Sequence, residues 1–330
     1  MDILSTIRDR AKAMKKHVVL PETYDDRVLQ CADFLLKEQI ARVTLLGEPG
    51  KVSADAKRLG LDLTGATVVD HLKEPARKEY VNAYYELRKA KGMTPEQAAK
   101  IMEQHIYYGS MCVNLGRCDC MTAGSTATTP DLMRAMLQVI RPKPGIKTVS
   151  SYFIMVTKVP TLGVDGAVIF SDCGLVPDPT AEMLVDIAAS SADSCKKLLG
   201  IEPVVGFLSF STKGSAQHPL LDKVIAATKM FKEKYPNIKA DGELQLDAAI
   251  IPSIADRKCK GSPAAGKVNV LIFPDLNAGN IGYKLTERLG GAQAIGPLVQ
   301  GLAKPGNDLS RGCSWMDIVN AAAVACVQCG

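Results

Sequence analysis

The chain has 330 residues, 47% of them apolar and 23% charged, with a formal net charge of +5. That length fits two domains better than one core. Aromatic residues make up only 5% and the basic residues are dispersed, which speaks against a nucleic-acid-binding face.

No apolar stretch approaches a membrane span. The opening MDILSTIRDRAKAMKKH spaces its apolar residues helically and lacks a signal-peptide core, so a cytoplasmic protein is expected. Strands are predicted at 18–20, 42–46, 67–69 and 118–122, and helices at 27–37, 75–91, 95–107 and 130–140, from apolar periodicity and Pro/Gly punctuation. Thr129 is the expected N-cap of the last helix, with Asp131 in its first turn. This alternation implies a mostly parallel sheet flanked by helices.

Arg141-Pro142-Lys143-Pro144-Gly145 reads as a linker. Beyond it, strands are expected at 148–156, 167–170, 204–209, 248–251 and 268–273, with helices around 180–198, 217–234 and 277–290. The remainder is too short for a domain of its own and is expected to return to the first. Domain I is then 1–142 plus 293–330, and domain II is 143–292.

Ten cysteines without a secretion signal read as reduced thiols. Cys326 and Cys329 have C-x-x-C spacing, but no second pair or histidine cluster stands near them to complete a zinc site. No metal site and no tightly bound cofactor are expected. Ser211-Thr212-Lys213-Gly214-Ser215 follows a strand and precedes a helix, a placement suited to anion binding, but lacks the P-loop frame. No G-x-G-x-x-G follows a strand, which argues against a dinucleotide site.

The most telling stretch runs from 268 to 314, VNVLIFPDLNAGNIGYKLTERLGGAQAIGPLVQGLAKPGNDLSRGCS. It holds two polar, glycine-containing turns, one after a buried-strand pattern and one before the last helix, where α/β proteins place ligands. FPDLNAGNIGYK followed by GPLVQGLAKPGNDLSRGCS resembles the most characteristic segment of phosphate acetyltransferases (phosphotransacetylases). VVLPET, YELRKAKG, LSFSTKGSA and DGELQLDAAI match the same family in order, so the resemblance spans nearly the whole chain. It implies two three-layer α/β domains, isocitrate/isopropylmalate dehydrogenase-like, with the active site in the cleft between them. It also implies acetyl transfer between acetyl phosphate and coenzyme A, a homodimer formed through domain II, and acetate kinase as pathway neighbour.

That reaction needs a base for a thiol of pKa about 8.5, a cation for the phosphoryl charge and a donor for the carbonyl oxygen. By resemblance, Asp317 is the base, Arg311 holds the phosphoryl group and Ser310 donates near the acetyl carbonyl. Ser314 and Asp317 also have capping-box spacing, so the carboxylate has a structural reading as well. Arg88 and Arg134 match family arginines that bind substrate, with the coenzyme A phosphates as expected partner. Thr128 and Thr129 stand where a serine-rich turn is expected and keep the hydroxyls; with Ser211 and Lys213 they complete the candidate binding set. Pro160 stands where some members carry a reactive cysteine, which removes thiol chemistry there. The competing readings are phosphate butyryltransferase or another short-chain acyltransferase, a metal-dependent dehydrogenase of the same architecture, whose aspartate cluster and Lys–Tyr pair cannot be assembled here, and a non-catalytic coenzyme A-binding regulatory module.

Overall fold

The computed structural model describes residues 3–330. In chain order the elements begin α1 (Ile3–Met14), β1 (His17–Leu20), α2 (Asp26–Lys37), β2 (Arg42–Leu46), α3 (Pro49–Leu59), β3 (Thr67–Val69), α4 (Arg77–Arg88), α5 (Pro95–Ile101), α6 (His105–Asn114), β4 (Cys120–Ala123) and α7 (Thr129–Val139). The middle of the chain supplies β5 (Ser150–Val156), β6 (Ala167–Ser171), α8 (Ala181–Ser194), β7 (Val204–Leu208), α9 (Pro219–Lys234), β8 (Lys239–Leu244), α10 (Leu246–Ile250), α11 (Pro252–Lys258), β9 (Val270–Ile272), α12 (Leu276–Arg288) and β10 (Gln293–Gln300). The end adds β11 (Gly306–Asp308) and α13 (Trp315–Gln328).

The chain divides into two compact units. One holds Pro144–Gly301, and the other holds the residues up to Lys143 together with Leu302–Gly330. The discontinuous unit has a five-stranded sheet in the order β11-β4-β1-β2-β3, parallel at every pairing. Successive residues of β4, from Cys120 to Ala123, are all buried, as are Val18, Val19 and Leu20 of β1. Side chains alternate between faces along a strand, so both faces of this sheet are covered. The cover includes α13, packed on α1, α2 and β4, and α6, packed on α7, β4 and β1.

The other unit has a six-stranded sheet in the order β10-β5-β6-β9-β7-β8. Here the expected parallel pattern holds for β6, β9, β7 and β8, whereas β10 and β6 flank β5 in antiparallel fashion. Its core gathers Phe153, Met155, Val168, Phe170, Leu208, Leu244, Leu271 and Phe273.

Three expectations differ from what is found. The helix expected over 95–107 is two helices, α5 and α6, because Met102 ends the first and Gln104 precedes the second. The stretch expected as a strand at 248–251 lies mainly in α10, whose Ala248 and Ala249 are buried; a short apolar run with two alanines suits either state. The strand there is β8, KADGEL, whose acids and glycine concealed it. The return to the first unit comes at Leu302 rather than at 293, since β10 pairs with β5 over most of its length.

Candidate active site

In the discontinuous unit, β11, β4 and β1 are adjacent and parallel, so their C-terminal ends emerge side by side at one sheet edge. Such an edge is where open parallel sheets bind ligands. Three loops leave it, and each enters a helix N-terminus. Asp25 caps α2, Thr128 caps α7 and Ser314 caps α13. Three helix starts give the edge a positive bias suited to phosphate-bearing molecules.

The loop after β11 carries Ser310, Arg311 and, at the third position of α13, Asp317. Ser310 and Arg311 are exposed. Among the described residues Arg311 has no carboxylate partner, so its guanidinium is available to an anion. Asp317 closes a capping box with Ser314. Its Oδ2 accepts from the Ser314 amide and hydroxyl, both at 2.8 Å, and its amide donates to Ser314 Oγ at 3.2 Å. The cap fixes one carboxylate oxygen and leaves Oδ1 without a partner among the described residues. The structural and chemical readings of Asp317 are therefore compatible.

What fixes this loop is a residue the sequence reading missed. Arg27, in the first turn of α2, donates to the main-chain oxygens of Arg311 at 2.9 Å and Cys313 at 2.7 Å. Its other amino group reaches the Ser125 carbonyl at 2.9 Å and Asp25 Oδ2 at 2.6 Å. Hydrogen bonding to Asp25 raises the Arg27 pKa, so the clamp stays charged. One planar fork thus joins all three loops, a task a lysine could not share.

Glu22 was missed too. It is buried just after β1, and its carboxylate accepts from the Gly124, Ser125, Thr126 and Ala127 amides and from the Ser125 and Thr126 hydroxyls. Burial works against its ionisation, but these donors outweigh it and hold the pKa below the ordinary value. An internal carboxylate therefore fills the anion cradle formed by the 124–127 loop. Tyr24, on the same loop as Glu22, sits 2.7 Å from Thr126 Oγ1. The signal in the sequence was a strand ending directly in Pro-Glu-Thr.

The arginines and threonines fall as follows. Arg88 ends α4 half-buried, and its buried Nε has no partner. Arg134 is exposed on α7, in an i,i+3 pair with Asp131 at 2.9 Å. Both guanidiniums act on the buried Tyr107 hydroxyl, whose pKa burial pushes up and the two charges draw back. The fold therefore brings Arg88 and Arg134 to one neighbourhood. The N-cap of α7 is Thr128, one residue before the expected Thr129; its Oγ1 takes the Asp131 amide. Thr129 hydrogen-bonds Asp308 instead.

Ser211 and Lys213 lie in the other unit. Ser211 is fully buried and donates to Glu243, and Lys213 Nζ pairs with buried Asp241 at 2.8 Å. Both candidate anion contacts are thus spent on internal carboxylates. Cys326 and Cys120 place their sulfurs 4.0 Å apart inside the discontinuous unit. No cluster that could hold a metal ion occurs among the described residues, and no helix there is long and apolar enough to cross a membrane.

Comparison with known proteins places the chain in a family. The family model described as phosphate acetyl/butaryl transferase matches residues 2–326. A phosphate acetyltransferase of Thermoanaerobacterium thermosaccharolyticum is 48% identical over 328 residues, covering 99% of each chain. A phosphotransacetylase structure from Streptococcus pyogenes superposes with a TM-score of 0.94 at 38% identity, covering 99% of this chain and 98% of that one. One from Staphylococcus aureus gives 0.92 at 38% identity, covering 100% and 98%. Matched by the family model over residues 2–326 and by a 48% identical relative along 99% of its length, this chain belongs to the phosphate acetyl/butaryl transferase family.

Proposed function

We infer that the protein is a phosphate acetyltransferase, interconverting acetyl-CoA plus phosphate with coenzyme A plus acetyl phosphate, and that Ser310, Arg311 and Asp317 carry the reaction. The observation that carries the site assignment is the joint placement of a partner-free guanidinium, a hydroxyl and a half-engaged carboxylate on one clamped turn. In the direction of thioester formation, Asp317 takes the proton of the coenzyme A thiol. The thiolate sulfur attacks the acetyl carbonyl carbon, and Ser310 donates to the oxygen that gains charge. The carbon–oxygen bond to phosphate then breaks. Phosphate leaves against Arg311 through charge-assisted hydrogen bonds, and the proton on Asp317 returns to it or to solvent. Coenzyme A is a substrate here, not a resident cofactor.

Arg88 and Arg134 are proposed to hold coenzyme A phosphates, supported by their shared neighbourhood around Tyr107. Of the loop hydroxyls, Thr128 and Thr129 remain substrate-contact proposals, although each already has an internal partner. Ser211 and Lys213 are weaker candidates, given their internal partners. The isocitrate/isopropylmalate dehydrogenase-like layout, with the site in an interdomain cleft, is proposed on family resemblance alone, as is acetate kinase as neighbour, whereas the cytoplasmic location is proposed from the helically spaced apolar residues of the opening segment. The homodimer has separate support within Pro144–Gly301. On and just after α12, Ile281, Leu285 and Leu289 recur every four residues and are exposed, Leu289 by 81%, an apolar stripe a second copy would cover.

Initial rates with acetyl, propionyl and butyryl phosphate plus coenzyme A, with and without added divalent metal, test the reading. Acetyl phosphate should give the highest kcat/KM with no metal requirement. A preference for butyryl phosphate would make the protein a butyryltransferase, and no turnover with any of them would leave a binding module.

A further inference from the structure

Asp308 ends β11, two residues before Ser310, and plays no part in the chemistry above. It is 4% exposed, and its Oδ1 is buried with no hydrogen-bond partner. Gly124, at φ +107°, presses on that oxygen so closely that a Cβ there would lie 2.4 Å from it and 2.7 Å from the Leu309 amide nitrogen. The glycine is required both by its backbone conformation and by this approach. The 124–127 loop is therefore held between two buried carboxyls, Glu22 accepting its amides and Asp308 pressed against Gly124.

The two acids are unequally served. Glu22 has six donors and is the anion of the pair. Asp308 has the Thr129 hydroxyl, the Leu309 amide being given to the Ala123 carbonyl at 2.9 Å, and one of its oxygens is bare. A carboxylate with a bare oxygen, out of water and facing another anion, is costly, whereas a neutral carboxyl leaves only a carbonyl unpaired and can donate its own proton. The elements packed on β11 are β4, α7 and α13. Thr129 comes from α7, whose Asp131 and Arg134 pair with each other. Asp317 of α13 is engaged by Ser314, and β4 brings the thiol of Cys120. Glu22 is the charged group that acts on Asp308.

We propose that Asp308, wedged between Gly124 and Thr129, is a positioning residue for the Ser310–Arg311 turn, and that its protonated form is the one that fits this wedge. Burial, with Glu22 adding to it, pushes its pKa up to about 6 from 3.8. A carboxyl raised in this way adds stability that is complete below its unfolded value and is lost as pH rises through the folded one. A shift of about two units corresponds to roughly a hundredfold change in the folding equilibrium between pH 4 and 7.

The proposal rests on the Ser310–Arg311 site reading, and the test separates the two. At pH 5, where the Asp308 carboxyl is protonated, Asp308→Ala should lower kcat more than tenfold with both KM values within about twofold, and Asp308→Asn should restore most of that loss. Unfolding midpoints followed from pH 4 to 7 should show the Asn variant gaining on wild type as pH rises. Infrared difference spectra of the wild-type protein, which require no variant to fold, should show a protonated-carboxyl band titrating between pH 5 and 7. Asn and Ala variants equally impaired, parallel stability profiles, or no such infrared band would each overturn the neutral-acid role. A fully active Ser310→Ala would instead sink the site reading and leave the infrared result standing.

Discussion

Arg27 and Arg311 are 284 positions apart in sequence, yet a guanidinium nitrogen of the first donates to the main-chain oxygen of the second at 2.9 Å. The contact holds the loop after β11 to the start of α2, and the Ser125 carbonyl joins through the same side chain. The geometry of Ser310 and Arg311 thus depends on a residue that need not touch substrate.

Replacing Arg27 with alanine should lower kcat at least tenfold and cost about 2 kcal/mol of stability, the scale of lost hydrogen bonds to a charged donor. Arg27→Lys should recover the charge but not the fork, and so recover little kcat. Steady-state kinetics alongside urea unfolding would check this; a Lys variant with wild-type kcat would refute the clamp.

Glu22→Gln puts an amide nitrogen against donors that need an acceptor, and should destabilise the protein by about 3 kcal/mol. The wild-type carboxylate, with its pKa lowered from 4.5, contributes stability above that value and loses it as pH falls through the folded pKa. Acid unfolding curves of the two proteins should therefore converge at low pH. A constant gap down to pH 3 would contradict the assignment.

The Asp317→Asn variant should lose at least a hundredfold in kcat with little change in either KM, because the lost function belongs to the transition state. Its cap should weaken by no more than about 1 kcal/mol, which thermal unfolding can confirm. Near-normal turnover would reduce Asp317 to a helix cap.

Much of this was legible in the chain. Strong periodicity placed most helices, and the resemblance of the Ser310-Arg311-Gly312 turn, with Asp317 beyond it, to the family's motif marked the candidate chemistry. The sequence hid what depends on distant partners. Glu22 reads as an ordinary acid until β4 brings the 124–127 amides onto it, and Arg27 reads as a surface charge until β11 lies beside β4. The three residues of β11 are too few to show any period. Lys213, legible as an anion contact, is occupied by Asp241, a pairing made by β8, the strand its polar residues concealed.

For Arg88, alanine should raise the KM for coenzyme A about tenfold or more and leave that for acetyl phosphate nearly unchanged, with lysine recovering only part. Equal effects on both substrates would remove Arg88 from the coenzyme A site.

The central claim is direct transfer from acetyl phosphate to the coenzyme A thiolate on the Ser310–Arg311–Asp317 turn, with no acyl-enzyme between. Its most direct test is the initial rate of acetyl-CoA formation measured over a grid of both substrate concentrations. Double-reciprocal lines that intersect, the mark of a ternary complex, are the result this account predicts. Parallel lines, the mark of a covalent acyl-enzyme released in two halves, would contradict it.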